Sequence, residues 1–398
     1  MMLRQIETSG PARSGLLVGA SRAPTAEQAV REVRAALGDV RDGCVIFFSS
    51  VRYDRNALAG ALAHSFAGAR VVGCSTAGEI APEGYARGSM VAIHLPAGEF
   101  ATVTTVVEDL SAFVPAESQQ RARQAVASLR ERALSPVTGH TFGLVLIDGL
   151  SRQEEWVVST LSSALGDIPL FGGSAGDDLE FRDTYVYTDG IFRRDSAVLL
   201  LVNTPAPFQV FRTQHFVQTD RKMVVTAADP TARRVTEING EPAAREYARL
   251  VGLEVDRLTP MAFAANPVVV KVGGLYYVRS IQKVNDDESL TFFCAIDEGI
   301  VLTVAEGLDI VENLREALAE VRREVGEPRV IIGCDCVLRR LEVERKALSG
   351  PVSRLLAANR VVGFSTYGEQ FNAMHVNQTF TGVAIGQPRG SASEDGSR

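Results

Sequence analysis

Two stretches of the chain combine glycines, a pair of hydroxyl residues and an acid in the same order: VVGCSTAGEI at 71–80 and VVGFSTYGEQ at 361–370. A related stretch between them, IPLFGGSAGDD at 168–178, keeps this order with a single hydroxyl residue and one residue fewer before its acid, so that the motifs in chain order are the first (71–80), the second (168–178) and the third (361–370). Hydroxyl and carboxylate groups can hold a small polar molecule by hydrogen bonds. Because active-site motifs are usually unique in a chain, the repetition raises the question of whether these residues perform chemistry at all.

Each stretch follows an apolar run, so the polar residues lie where a strand ends. Glycine there allows close approach of a ligand or another backbone, and serine or threonine can hydrogen-bond to turn amides. Two interpretations stay open: a strand-exit turn, or a ligand pocket at the carboxyl ends of parallel strands. The candidate ligand-binding residues are Ser75, Thr76, Gly78, Glu79, Ser174, Gly176, Asp177, Ser365, Thr366, Gly368, Glu369 and Asn377.

One of the stretches also matches a catalytic motif. GGSAG at 172–176 fits Gly-x-Ser-x-Gly, in which a strained serine follows a strand and precedes a helix. The residues after it, DDLEFRDTYVYTDG, are acidic and then strand-like, and no recognisable Ser, acid and His order completes a triad. A hydrolase is therefore kept only as an alternative, and we expect a protein that is not an enzyme.

The cysteines invite a metal or redox interpretation. Cys334 and Cys336 form a Cys-x-Cys pair, but no second pair exists, and Cys74 is replaced by Gly173 and Phe364 in the other two stretches. We therefore expect buried structural thiols and no metal site. The odd number of five cysteines also does not make an even disulfide framework, which favours a reducing compartment.

The elements around the three stretches form a repeated unit. An apolar run, a helical segment and a second apolar run precede each motif, beginning at CVIFFSS (44–50), FGLVLIDG (142–149) and RVIIGCDC (329–336). Strand-helix-strand units imply parallel pairing in a core sheet. Alternating segments at 183–202 and 267–282 predict antiparallel hairpins, and helices are expected at 24–37 and 306–325. The fold class is therefore α/β with mixed sheets, in two domains.

Composition restricts the partners. The 398 residues are 46% hydrophobic and 22% charged, with 48 acidic against 41 basic side chains and no basic block. This balance gives no electrostatic footprint for nucleic acid or an anionic membrane. The first residues, MMLRQIETSGPARSG, lack the apolar region of a signal peptide, and no segment approaches the length of a membrane span. We expect a cytoplasmic protein.

The three motifs, together with VVTAADPTARRVTEINGEPAAREYARLVG (224–252) and VVGFSTYGEQFNAMHVNQTF (361–380), resemble the FIST family of sensory proteins. The resemblance covers almost the whole chain beyond about residue 25. It implies an N-terminal and a C-terminal FIST domain that bind a small ligand and act in signal transduction, often with a histidine kinase of a two-component system. The domains expected are an extension at 1–24, FIST N at 25–220 and FIST C at 221–385, followed by a disordered tail at 386–398. The segment 203–220, the crossing segment, is expected to connect the first domain to the second.

One branch of the FIST family resembles stand-alone haem proteins that sense nitric oxide and regulate a separate kinase. Haem b would need an axial ligand, for which histidine is the first choice. The two candidates are His215, flanked by Phe211 and Phe216 in the crossing segment, and His375, just after the third motif. His94 is expected to be a satisfied histidine of a strand.

Two further possibilities stay open beside haem. The first is a sensor of an amino acid or similar metabolite, in which Glu79, Asp177 and Glu369 would bind an ammonium group and the hydroxyls the remainder. The second is a noncatalytic scaffold without a ligand.

Overall fold

The structure is a computed structural model that describes residues 16–272 and 274–388. Most of the predicted N-terminal extension (1–15), most of the predicted tail (389–398) and Gly273 lie outside the described residues. The fold is mixed α/β, as the sequence predicts.

The strands of the described part are short and mostly buried. In chain order they are β1 (Leu17–Ser21), β2 (Cys44–Ser50), β3 (Arg70–Thr76), β4 (Glu79–Ala81), β5 (Gly84–Ala86), β6 (Met90–Leu95), β7 (Ala101–Val107), β8 (Thr141–Ile147), β9 (Leu170–Ser174), β10 (Val186–Thr188), β11 (Ile191–Arg193), β12 (Ala197–Asn203), β13 (Phe208–Thr213), β14 (Phe216–Asp229), β15 (Arg234–Ile238), β16 (Glu241–Pro242), β17 (Val268–Val272), β18 (Leu275–Arg279), β19 (Ile281–Val284), β20 (Leu290–Phe292), β21 (Val301–Gly307), β22 (Val330–Cys336), β23 (Val361–Thr366), β24 (Glu369–Phe371), β25 (Met374–Val376) and β26 (Phe380–Ile385).

Several helices begin where the sequence supplies a capping side chain or a proline. The Thr25 hydroxyl accepts from the backbone N–H of Gln28 at 3.3 Å, and Asp309 caps the helix that follows it in the same way. In chain order the helices are α1 (Ala26–Ala36), α2 (Arg55–Ser65), α3 (Pro115–Arg130), the single turn α4 (Val137–His140), α5 (Glu154–Leu165), α6 (Ala243–Val251), α7 (Pro260–Ala265), α8 (Ile310–Val325), α9 (Val337–Arg345) and α10 (Ser349–Ala358). Helices α1 and α8 are those expected at 24–37 and 306–325.

Three six-stranded sheets share one strand order. Sheet 1 is β1-β6-β2-β3-β10-β11, sheet 2 is β7-β12-β8-β9-β24-β25, and sheet 3 is β13-β26-β22-β23-β4-β5. Each contains one parallel pair, β2–β3, β8–β9 or β22–β23, and is otherwise antiparallel. The predicted parallel units are therefore confirmed. The expectation that they share one core sheet is wrong, because each unit forms the centre of its own sheet.

The sheets are tied together by an exchange of hairpins. The hairpin that follows each parallel pair joins the next sheet instead of its own: β4–β5 pairs with β23, β10–β11 with β3, and β24–β25 with β9. The predicted hairpin at 183–202 is confirmed as β10–β11, whose turn lies at Asp189 and Gly190. Every sheet therefore contains strands from two of the three repeats.

Sheet 4 is an insertion into the third repeat. Its order is β18-β17-β21-β14-β15-β20-β19, with β16 on β15, and it lies in sequence between β13 and α8. The hairpin β17–β18 at 267–282 agrees with the sequence prediction. The predicted crossing segment 203–220 leaves sheet 2, contributes β13 to sheet 3 and then enters sheet 4.

One face of each six-stranded sheet packs into a common core. Phe48 of sheet 1 and Phe364 of sheet 3 stack with their ring centroids 4.5 Å apart, and Leu144 of sheet 2 belongs to the same cluster. Helices cover the outer faces: α1 and α2 on sheet 1, α3 and α5 on sheet 2, α8 and α10 on sheet 3. The carboxyl ends of the three parallel pairs therefore meet near one point of the molecule. In the described ranges, no helix has the length and apolar character needed to cross a membrane.

Candidate functional site

The three glycine motifs form a single hydrogen-bonded junction, which we define as residues 75–79, 174–178 and 365–369. Ser365 N–H donates to the carbonyl of Gly78 at 2.7 Å, joining the first and third motifs. Gly176 N–H donates to Ser75 O at 3.1 Å, and Ser174 N–H donates to Gly368 O at 2.8 Å. The carboxyl ends of the three parallel pairs are thus linked directly to one another.

Two glycines of the junction show why these positions tolerate no side chain. Gly78 has φ of 124°, and a Cβ there would lie 2.0 Å from Nη1 of Arg340. A Cβ on Gly176 would lie 2.6 Å from the backbone nitrogen of Ala77. The repeated glycines therefore permit close contact between motifs, which supports the strand-exit interpretation at these positions.

The acids of the first and third motifs are satisfied internally. Glu79 accepts from the Thr76 hydroxyl at 2.6 Å and from the N–H and hydroxyl of Ser89 at 3.1 and 2.6 Å. Glu369 accepts from Thr366 at 2.5 Å and from the N–H and hydroxyl of Thr379 at 3.1 and 2.8 Å. Burial raises the pKa of Glu79 to about 7 and that of Glu369 to about 8. This geometry does not place either carboxyl group where it can bind an ammonium ligand.

Asp177 has a different role. Its carboxylate accepts from the backbone N–H groups of Phe181, Arg182 and Asp183 at 2.9, 2.6 and 2.9 Å, and from the hydroxyl of Tyr367. It therefore organises the loop between β9 and β10, residues 175–185. Tyr367 also accepts from the N–H of Leu179 at 2.9 Å, so this loop is anchored to the third motif.

Ser174 does not have the surroundings of a nucleophile elbow. Residues 175–185 after β9 contain no helix, and the Ser174 hydroxyl accepts from Gln370 Nε2 at 3.1 Å. His375 lies behind that amide, with its Nδ1 3.2 Å from the same Gln370 nitrogen. An amide therefore separates the hydroxyl from the imidazole that would have to act as its base.

A cleft of about 710 Å³ opens at the carboxyl ends of β2 and β3. Its walls are the end of β2 and the loop after it, the first turns of α2, and the 175–185 loop of the second repeat. Two of the residues predicted as ligand contacts, Ser75 and Asp177, line it. The volume is in the range of small-molecule sites, and the position is the one at which open α/β sheets usually bind ligands.

The cleft carries charges of both signs. The Arg55 guanidinium lies over the ring of Tyr185, 4.1 Å from its centroid, and none of the ion pairs among the described residues includes it. Asp178 lines the same cleft, 3.5 Å from the Ser50 hydroxyl, and burial raises its carboxyl pKa above the usual range. These groups can receive a carboxylate and an ammonium group respectively.

His215 is buried in a chain of charged side chains. Its Nε2 lies 2.8 Å from the carboxylate of Glu342 and its Nδ1 lies 2.8 Å from the guanidinium of Arg339. Because the guanidinium only donates, Nδ1 accepts and Nε2 carries the hydrogen. Burial lowers the pKa of His215 to about 4. Both ring nitrogens are used, so His215 does not fit an axial haem ligand.

His375 also does not fit haem, for a steric reason. Its ring is 2% exposed, and its Cε1 lies 2.2 Å from where a Cβ on Gly368 would be. The polar cleft at β2 and β3 has no histidine in its lining. His94 is satisfied as predicted, with Nε2 2.9 Å from Asp42 O.

The cysteines agree with the structural interpretation. All five are buried and unpaired with one another. Burial raises the pKa of Cys74, Cys334 and Cys336, so these thiols are protonated at neutral pH.

The residues that give the cleft its charge were not predicted from the sequence. Arg55 and Tyr185 do not belong to a glycine motif, and Asp178, the last residue of the second motif, was not among the predicted ligand contacts. One sequence signal could have indicated Arg55. The first strand of the first unit runs into FFSSVRYDR, which changes from apolar to polar residues at the carboxyl end of the strand, as the glycine motifs do. A loop donated by another repeat, such as 175–185, gives no such signal.

The chain matches two family models. The FIST N domain model matches residues 43–241, and the FIST C domain model matches residues 243–372. No curated protein matches the chain significantly. Among solved structures, PurLQS from Thermotoga maritima is 11% identical with a TM-score of 0.19, over 94% of this chain and 72% of that one, which is too weak a likeness to support an argument.

The FIST N model alone matches half of the chain, and the two models follow one another along it. FIST domains sense small ligands and act in signalling. The chain belongs to the FIST family.

Proposed function

We propose that this protein is a sensor that binds a small metabolite carrying both a carboxylate and an ammonium group, of the amino-acid class, in the cleft at β2 and β3. The observation that carries the proposal is that one cleft of about 710 Å³ contains Arg55, which forms no ion pair with the described residues, together with a half-buried aspartate and serine hydroxyls. A charged group that hydrogen-bonds a ligand typically contributes about 1.5–3 kcal/mol.

The 175–185 loop supports a route for the signal. One side of it lines the cleft through Asp178 and Tyr185. On its other side Phe181 stacks on Tyr367 with ring centroids 4.8 Å apart, and the ring centroid of Phe293, the residue after β20 of sheet 4, lies 5.9 Å from that of Phe181. A ligand that repositions the loop would therefore change its contacts with the C-terminal part, which a separate partner protein can read. A histidine kinase as that partner stays a prediction.

The test is a thermal melt of the full chain with a panel of α-amino acids, with the matching amines and carboxylic acids as controls. A bound ligand raises the melting temperature in proportion to the logarithm of its concentration above Kd. Arg55→Gln and Asp178→Asn are each expected to weaken binding about tenfold or more. Arg31→Gln, at an exposed position of α1, is the matched control. The proposal fails if no zwitterion stabilises the wild type more than its amine and acid analogues do.

The haem and nitric oxide alternative receives no support from the donor set. We expect a colourless purified protein without a Soret band. Haem that co-purifies at unit stoichiometry, with a spectrum altered by His215→Ala or His375→Ala, would contradict this expectation.

A further inference from the structure

Four buried polar side chains lie on the segment 370–378, and we call them the hairpin polar cluster: Gln370, His375, Asn377 and Gln378. The Gln370 amide contacts His375, and the His375 ring and the Asn377 amide both lie beside Gly368. Gln378 follows Asn377 in the chain and contacts the carbonyl of Phe263. All four are 2% exposed or less. Among the described residues, no partner exists for Gln370 Oε1, His375 Nε2, Gln378 Oε1 or either amide atom of Asn377. Buried polar atoms without partners are uncommon in folded proteins, so several together indicate a missing occupant.

The sister hairpins show that the fold does not require polar residues at two of these positions. By register, Gln370 and His375 form a cross-strand pair, as do Ile80 with Tyr85 and Tyr187 with Phe192. The hairpins β4–β5 and β10–β11 therefore bury apolar or aromatic side chains where β24–β25 buries an amide and an imidazole. In the described part, the β10–β11 copy leaves only the Thr188 hydroxyl without a partner, whereas this copy leaves several amide and imidazole atoms without one.

The donors and acceptors of the cluster specify a chemistry. Gln370 Nε2 lies 3.2 Å from His375 Nδ1, and an amide nitrogen only donates, so the imidazole hydrogen is on Nε2. The cluster thus offers the Nε2–H of His375 and the amide N–H of Asn377 as donors. It offers the carbonyl oxygens of Gln370 and Asn377 as acceptors, and the carbonyl oxygen of Gln378, at the next residue, is also without a partner in the described part.

We propose that the hairpin polar cluster is a second binding site, which takes a neutral molecule with a carboxamide or cyclic-amide edge. Asn377, with its C=O and NH₂ both open, is complementary to the adjacent N–H and C=O of such an edge. A carboxylate would meet the carbonyl oxygens of Gln370 and Asn377 without bringing a donor of its own. None of the four residues lines the cleft at β2 and β3, so this inference does not depend on the proposed function.

The site lies between two parts of the molecule. Helix α5 and strand β18 pack against β25, and Gln378 Nε2 lies 3.4 Å from the carbonyl of Phe263 in α7. An occupant would therefore bridge the hairpin of sheet 2 and the elements of sheet 4. Its entry requires these elements to separate, which would couple occupancy to the position of sheet 4.

The experiment uses acetamide and 2-pyrrolidone as probes and acetate as the isosteric charged control. We expect both amides to raise the melting temperature of the full wild-type chain and to shift the side-chain amide signals of Asn377 in ¹H–¹⁵N spectra, with acetate doing neither. If neither amide shifts the wild-type signals, the cluster holds only water and the proposal is overturned. Binding of acetate in preference to acetamide would also overturn it, and would point to Arg279, whose Nε and Nη1 are buried without partners in the described chain.

The variant Asn377→Leu separates a binding role from a structural one. Because both amide atoms of Asn377 lack partners, an apolar side chain of similar shape should leave the probe-free melting temperature unchanged or higher, with acetamide affinity reduced about tenfold or more. The control Asn359→Leu removes a buried amide that donates to Leu355 O at 2.8 Å, so it should lower the melting temperature and retain the acetamide response. Retention of that response in Asn377→Leu would show that the probe binds elsewhere.

Discussion

At the residue scale, Glu79 and Glu369 have the same position in two repeats and the same set of three donors. Burial raises the pKa of Glu369 to about 8, against about 4.3 for a glutamate in an unfolded chain. The folded state therefore holds a proton that the unfolded state releases as pH rises between these values. The stability linked to this group is complete below about pH 4 and is lost as pH rises through about 8. The glutamine in the variant Glu369→Gln does not titrate. We therefore expect the free energy of unfolding of wild type to fall relative to that of the variant as pH rises through this window, by a few kcal/mol at most.

The measurement is urea unfolding of both proteins from pH 5 to pH 9. Glu316→Gln on the exposed side of α8 is the control for removing one acidic group. A constant difference between wild type and Glu369→Gln over the range would mean that Glu369 is ionised throughout. From the sequence, Glu369 was predicted as a ligand contact because the motif does not contain the residue that satisfies it. That residue, Thr379, lies ten positions later, and only the strand pairing brings its hydroxyl to the Glu369 carboxylate.

At the element scale, the 175–185 loop connects the cleft to the third motif through one hydroxyl group. Leu179 and Phe181 have φ of 70° and 53°, a conformation that costs free energy for such side chains, so contacts must hold the loop in place. Tyr367→Phe removes the hydroxyl that bonds Asp177 and Leu179. We expect a loss of about 1–3 kcal/mol, because backbone N–H groups are left unpaired, and faster hydrogen exchange across 177–185.

Hydrogen exchange by mass spectrometry checks this prediction, and Tyr276→Phe on β18 is the matched control. Unchanged protection of 177–185 in Tyr367→Phe would show that the aromatic stack with Phe181 alone fixes the loop. The hairpin after this loop could be predicted, because alternation and the Asp189-Gly190 turn are local signals. The loop itself could not, because its conformation depends on a tyrosine almost 200 residues away in the chain.

At the scale of the whole molecule, the exchanged hairpins make the repeats depend on one another. The repeated units and their parallel pairs follow from apolar runs and helical periodicity, which are properties of short segments. The exchange of hairpins does not follow from such local properties. On sequence grounds β4 could pair with several strands, and its pairing with β23 is determined only by how the sheets assemble. For the same reason the sequence placed the three units in one sheet, although each has its own.

The exchange predicts that the chain cannot be divided between its second and third repeats. A fragment of residues 1–206 keeps sheet 1 complete, but sheet 2 loses β24–β25 and the hairpin β4–β5 loses sheet 3. The common core also loses Phe364, which stacks on Phe48. We expect fragments 1–206 and 207–398 to show no cooperative melt when expressed separately and to recover one when co-expressed, because the missing strands and core contacts then return. Calorimetry of each fragment and of the co-expressed pair checks this. A cooperative transition of 1–206 alone, at the temperature of the full chain, would mean that the exchanged hairpins contribute little to stability and that the second repeat closes its own sheet.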